Sequence, residues 1–120
     1  MNQPQQANPN LIGAYLESQA KLRQIVNYGQ LVSRFGLPPL DGAWAAHPLA
    51  AIFEVIDQQD AITNRPFRTA LVVGVASGFP GGGFFEALER LKGVQDPRTQ
   101  AAREALWVSE LNATHNYPWP

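Results

Sequence analysis

The sequence predicts a mainly α-helical fold with a small β element. Three observations lead there: apolar residues recur at helical spacing in three segments before residue 61, a single β-branched run alternates over Phe67 to Val75, and a glycine-rich turn at Gly78 to Gly83 precedes two further helical segments. With 120 residues, 45% hydrophobic and 16% charged, the chain is one domain long. A domain of that size buries roughly two-thirds of its unfolded surface and needs no staple to hold a core. The absence of cysteine excludes zinc ribbons, iron-sulfur sites and cysteine nucleophiles. Nine Lys and Arg against ten Asp and Glu leave no global basic field for non-specific nucleic-acid binding.

The elements follow in order. Residues 1–10 are polar and proline-punctuated, without the charge and apolar run of a signal or transit peptide, and are expected to be a disordered tail. Pro9 stands where a helix would start, and Leu11, Tyr15, Leu22 and Ile25 carry a helix to about Val26. Asn27 and Gln30 form a capping-box pair opening a second helix that Gly36 stops. After the break at Leu37 to Leu40, His47 and Pro48 open a third, with Leu49, Ile52, Phe53 and Ile56 as its buried stripe, ending near Asp60.

From Arg65 the period changes to two, and both faces of the predicted strand are apolar at its centre, so it is expected to be covered on each side. A lone strand needs a partner for its backbone groups. A short segment just before Asn27, the residues from Thr63 to Phe67, or a second protomer can supply one. Phe84, Phe85, Leu88 and Leu91 mark a fourth helix closed by Gly93, and Asp96 with Pro97 starts a fifth that reaches about Asn112. The domain is thus placed at residues 11–112, with residues 113–120 an aromatic and proline-rich tail. No apolar stretch approaches the roughly 20 residues of a membrane span, and a cytoplasmic location without membrane contact is expected.

Three helices, a strand and a glycine turn suit a winged-helix-like helix-turn-helix core with C-terminal helices added. The wording points the same way. Val26-Asn27-Tyr28-Gly29-Gln30-Leu31, then Phe35-Gly36-Leu37-Pro38, resembles the opening of the winged-helix DNA-binding domain of alkylguanine alkyltransferases and alkyltransferase-like proteins. Over Asn27 to Gly93, the strings Arg65-Pro66-Phe67-Arg68-Thr69-Ala70-Leu71-Val72-Val73 and Gly78-Phe79-Pro80-Gly81-Gly82-Gly83-Phe84-Phe85 resemble small uncharacterised bacterial proteins. Those read Tyr-Gly-x-Leu, then Pro-x-Leu-x-Ala-Leu-Val-Val, then Pro-Gly-x-Gly-Phe. The resemblance implies a fold and no activity. Alkyl transfer needs a cysteine this chain lacks, and the helix that would read DNA carries Glu54, Asp57 and Asp60 with no Lys or Arg.

Two sets of candidate residues follow, belonging to different functions. Arg34, Arg65 and Arg68 can meet near the expected wing as a small basic patch for nucleic acid, against the plainer reading of scattered surface cations. Trp44, Tyr117 and Trp119 are aromatics in loop or tail positions, suited together with the acidic third helix (Glu54, Asp57, Asp60) to a protein-interaction adaptor or inhibitor or to a homodimer, or else to a tail folded back over the core. The glycine stretch lacks the Lys-Ser or Lys-Thr of a P-loop and the spacing of a dinucleotide fold, and is expected to be a tight turn with positive φ angles. Ser77 lacks the nucleophile-elbow spacing, and His47 and His115 stand apart from any Asp or Cys partner, so neither a catalytic residue, a metal site nor a cofactor is assigned. The expectation is a small non-enzymatic binding module.

Overall fold

The computed structural model describes residues 8–120, and five α-helices surround two short strands. In chain order they are α1 (Pro9–Lys21), β1 (Val26–Asn27), α2 (Tyr28–Phe35), α3 (Pro48–Ile62), β2 (Val72–Val73), α4 (Gly82–Lys92) and α5 (Gln100–Asn116). Turns of 3-10 helix at Trp44–Ala46 and Arg68–Leu71 lead into α3 and β2. No helix among the described residues is long and apolar enough to cross a membrane.

Local chemistry fixes the helix ends. Asn8 caps α1, accepting from the Leu11 amide at 2.9 Å with Pro9 in the first turn, so residues 9 and 10 belong to the helix; residues 1–7 of the expected tail lie outside the described residues. The capping box at α2 forms as read, each half at 2.8 Å, and Gly36 closes the helix in the left-handed region at φ 62°. His47 caps α3 through Nδ1, which accepts from the Leu49 amide at 3.1 Å, while its Nε2–H donates to the Pro38 carbonyl at 2.9 Å. Two boundaries differ from expectation. Helix α1 stops at Lys21, because Arg23 turns at φ +57° and frees Val26 and Asn27 for the sheet. Helix α5 is capped by Thr99, since the Asp96 carboxylate is taken by the Arg98 amide and the Arg103 guanidinium; it runs on to Asn116, absorbing half of the expected tail.

The β element is where the sequence pattern misleads most. Val26 pairs with Val72 and Asn27 with Val73, so the partner is the segment just before α2, and the pairing is parallel. A wing is an antiparallel hairpin, and none forms among the described residues. Of the strand expected over Phe67 to Val75 only Val72–Val73 is strand. Arg68–Leu71 is a turn of 3-10 helix instead, and side chains answer backbone groups that neither this turn nor the ladder pairs. The Phe67 amide donates to Glu110 at 2.7 Å and the Arg68 amide to Asp60 at 2.9 Å; the Phe67 carbonyl accepts from Thr114 and the Ala70 carbonyl from Trp107, both at 2.8 Å. Phe67 to Val73 are all buried, as the apolar pattern on both faces implied.

At the centre of this segment Arg68 is only 4% exposed. Its guanidinium meets Asp60 at 3.0 Å, Glu17 at 2.9 Å and Gln59 at 3.1 Å, joining α1 to α3. Asp60 also pairs with Arg65 at 2.9 Å. Gly13 makes room for this cluster: a Cβ there would lie 2.6 Å from Arg68 Nη1. Mid-helix glycine costs about 1 kcal/mol relative to alanine, so its place in α1 is set by the arginine.

Removing the charge of Asp60 strands two cations, and Asp60→Asn is expected to destabilise by about 3–5 kcal/mol, read as a lowered urea midpoint. Gly13→Ala is expected to lower that midpoint too, against the gain its helix propensity alone would give; a raised midpoint would mean that Arg68 yields freely.

Candidate functional site

Helix α3 has two working faces. Leu49, Ile52 and Ile56 face the core, while Ala50, Phe53, Glu54 and Asp57, at spacings of three and four, line an open cleft of about 590 Å³. Tyr28 at the start of α2, Trp44 in the preceding 3-10 turn, Thr69 and the first turn of α4 complete it.

One wall is aromatic. The Tyr28 and Trp44 rings lie 5.5 Å apart, Tyr28 and Phe53 6.0 Å, and Trp44 and Phe53 5.9 Å. Trp44 remains 41% exposed. His47, fixed at both nitrogens by backbone groups, stacks on it at 5.9 Å and holds the indole over the cleft.

The floor is an acid. Asp57 is 5% exposed and accepts from the Thr69 hydroxyl at 2.6 Å; among the described residues it has no other hydrogen-bond partner. Burial pushes its carboxyl up to about 7, against the Thr69 hydrogen bond and reinforced by the nearby charges of Asp60 and Glu54. The Tyr28 phenol is raised as well, by burial first, with the Gly81 amide opposing and Asp57 adding to the rise.

The rim is charged. Arg90 of α4 forks onto Glu54 at 2.6 and 2.9 Å and reaches Glu86 at 2.7 Å, two carboxylates for one cation. The Arg90 hydrogen bonds hold Glu54 below the usual carboxylate range. Beside them α4 begins with exposed Gly81, Gly82 and Gly83, without a side-chain cap. Of the expected positive φ angles only Gly78 has one, at +64°, because Gly81 is an extended cap and its two neighbours are already helical. Side chains at Gly82 and Gly83 would meet nothing within 4 Å, and as first-turn residues their amides have no acceptor within the helix.

The residues singled out from sequence are dispersed. Trp44 is in the cleft. Arg34 is exposed on α2 with its guanidinium 4.5 Å from the Tyr15 ring. Arg65 and Arg68 come together around Asp60, while Arg34 lies over Tyr15; Arg68 is an interior residue because its charge is matched inside the fold, so the three form no exposed basic patch. Tyr117 packs at 4.5 Å on Trp119, which is 7% exposed, donates to the Thr114 carbonyl at 2.8 Å and lies under Arg65 and Arg68 at 5.4 and 5.8 Å. The tail therefore folds back over the core. Nor do the α3 carboxylates share one outward face: Glu54 and Asp57 look into the cleft and Asp60 into the interior.

Tyr28 and Thr69 were not foreseen as site residues, and Asp57 only as one carboxylate of an acidic partner-binding helix, although a sharper signal existed. Asp57 is four residues beyond Phe53 and Asp60 four beyond Ile56, so both carboxylates extend a stripe that is otherwise buried. No protein-family model, curated protein or solved structure matches the chain.

The raised Asp57 pKa carries a stability signature. Between the unfolded value of about 3.9 and the folded value the native state holds the extra proton, so this contribution is full below about pH 4 and is lost as pH rises through about 7. Asp57→Asn is expected to remove that decline and to exceed the parent chain in urea midpoint at alkaline pH, with no gain in acid. A parent midpoint that stays flat between these limits would show that Asp57 titrates normally.

Proposed function

We propose that the chain is a small, non-enzymatic binding module that captures a segment of another protein in the cleft beneath Trp44. The observation that carries this reading is a half-exposed tryptophan, locked by a stacked and fully hydrogen-bonded histidine, over a concave site with a buried acid at its base. Rigid exposed aromatics beside a pocket are what interface hot spots are made of. Ligand sites of this size are largely apolar with a few placed polar groups, as here. Thr69 donates its hydroxyl to Asp57, and both nitrogens of His47 are engaged by backbone groups, so no Ser-His-Asp-type relay is assembled among the described residues of the cleft.

A winged-helix-like, nucleic-acid-associated module is the second reading, favoured by the element order through α3 and by the exposed Arg34. It ranks lower because α3 offers carboxylates and no cation, and because the charge of Arg68 is spent internally.

Selection of displayed random peptides on the folded chain is expected to enrich binders whose affinity falls at least about tenfold on Trp44→Ala, with the thermal midpoint kept within about 2 °C. Trp119→Ala should instead lower the midpoint. Enriched binders indifferent to Trp44→Ala would remove the cleft reading. A duplex DNA shift at about 50 mM salt, abolished by Arg34→Ala, would favour the second.

A further inference from the structure

The cleft has a charge imbalance that its own residues leave uncorrected. Glu54, Asp57 and Glu86 line it against a single cation, Arg90. Arg90 is divided between Glu54 and Glu86 and forms no hydrogen bond to Asp57. Asp60, one turn further along α3, is matched by Arg65 and Arg68 and faces away. The other groups facing Asp57 are the hydroxyl of Thr69 and, from α2, the phenol of Tyr28. Among the described residues Asp57 thus keeps one oxygen without a hydrogen-bond partner at the bottom of an aromatic-walled site. A negative ligand would meet three carboxylates, whereas a cation with an apolar stem would match both the wall and the floor.

We propose that the cleft accepts an arginine or lysine side chain of a partner polypeptide, its cationic head on Asp57 and its stem along Tyr28, Trp44 and Phe53. A polypeptide is favoured over a small free amine by the first turn of α4. The bare Gly82 and Gly83 amides, with no side chain in the way, stand at the cleft edge where a peptide's own carbonyls can accept from them. The inference rests on the cleft being the recognition surface and adds the chemistry of what enters it.

Because a cation requires the ionised acid, capture is coupled to loss of the Asp57 proton. With that group at about 7 in the free protein, affinity for the basic side chain should fall as pH drops below that value and level off above it. Glu54, already held low by Arg90, contributes no change over the same range.

The test uses blocked peptides of sequence Gly-Phe-X-Phe-Gly, with X arginine, lysine, norleucine or glutamate, followed by the amide resonances of Thr69, Gly82 and Gly83 and the indole of Trp44. The arginine and lysine peptides are expected to bind at least about tenfold more tightly than the norleucine peptide at alkaline pH. That margin, taken as the ratio of the two affinities within each protein, should shrink in acid and vanish in Asp57→Asn. If norleucine binds as well as arginine, the cation inference fails while the cleft reading survives. If no peptide moves these resonances, both fail. Tightest binding by glutamate would overturn the proposal in favour of the α4 amides. Saturation by N-butylguanidinium as tight as by the arginine peptide would overturn it in favour of a small free cation.

Discussion

A segment of one 3-10 turn and two strand residues, Phe67 to Val73, runs buried through the middle of the molecule, and most of its backbone polar groups must be satisfied without a ladder. Only two of its residues find a strand partner. The remainder is held by side chains brought from elsewhere: Asp60 of α3 and Glu110, Trp107 and Thr114 of α5. Lys92 of α4 supports the same arrangement by bridging Glu110 and the Arg65 carbonyl at 3.0 and 2.7 Å. The packing of three helices is therefore specified by polar matching around one strip of backbone, with the apolar core filling in on either side.

That strip also creates the cleft. Arg68 and Thr69 are adjacent, and each meets a different carboxylate of α3, Asp60 and Asp57, one helical turn apart. Asp60 receives two guanidinium partners and a backbone amide. Asp57 receives one hydroxyl, too little, and its affinity for a proton rises accordingly. The same helix thus carries a structural anion and a poised acid, distinguished by which neighbour the buried segment presents to each.

Much of this was readable in advance. Caps and stops announced themselves at Asn27, Gly36, Pro48 and Gly93 because they are local chemistry. The apolar run over Phe67 to Val75 correctly signalled burial on both sides, but burial is not strand, and whether a ladder or side chains satisfy the backbone depends on residues some forty positions away. The site was the least legible part. Trp44 stood out as an aromatic among small residues, but Asp57 acquires its meaning from Thr69, twelve positions on, and from a wall assembled by α2 and α3 together. Arg68 misled for the complementary reason: an arginine in sequence looks like surface until its partners Glu17 and Asp60 are folded around it.

The indole of Trp119 lies beneath Arg65 and Arg68, whose partner carboxylates come from α1 and α3. During synthesis this has a temporal meaning. A chain lengthening from its N-terminus can build α1 and the α2 cap early, but the ionic centre stays uncovered until residue 119 has left the ribosome, and the parallel pairing of Val26 with Val72 must wait through a long crossover. The interior of this domain is therefore completed well after its first two helices have been made.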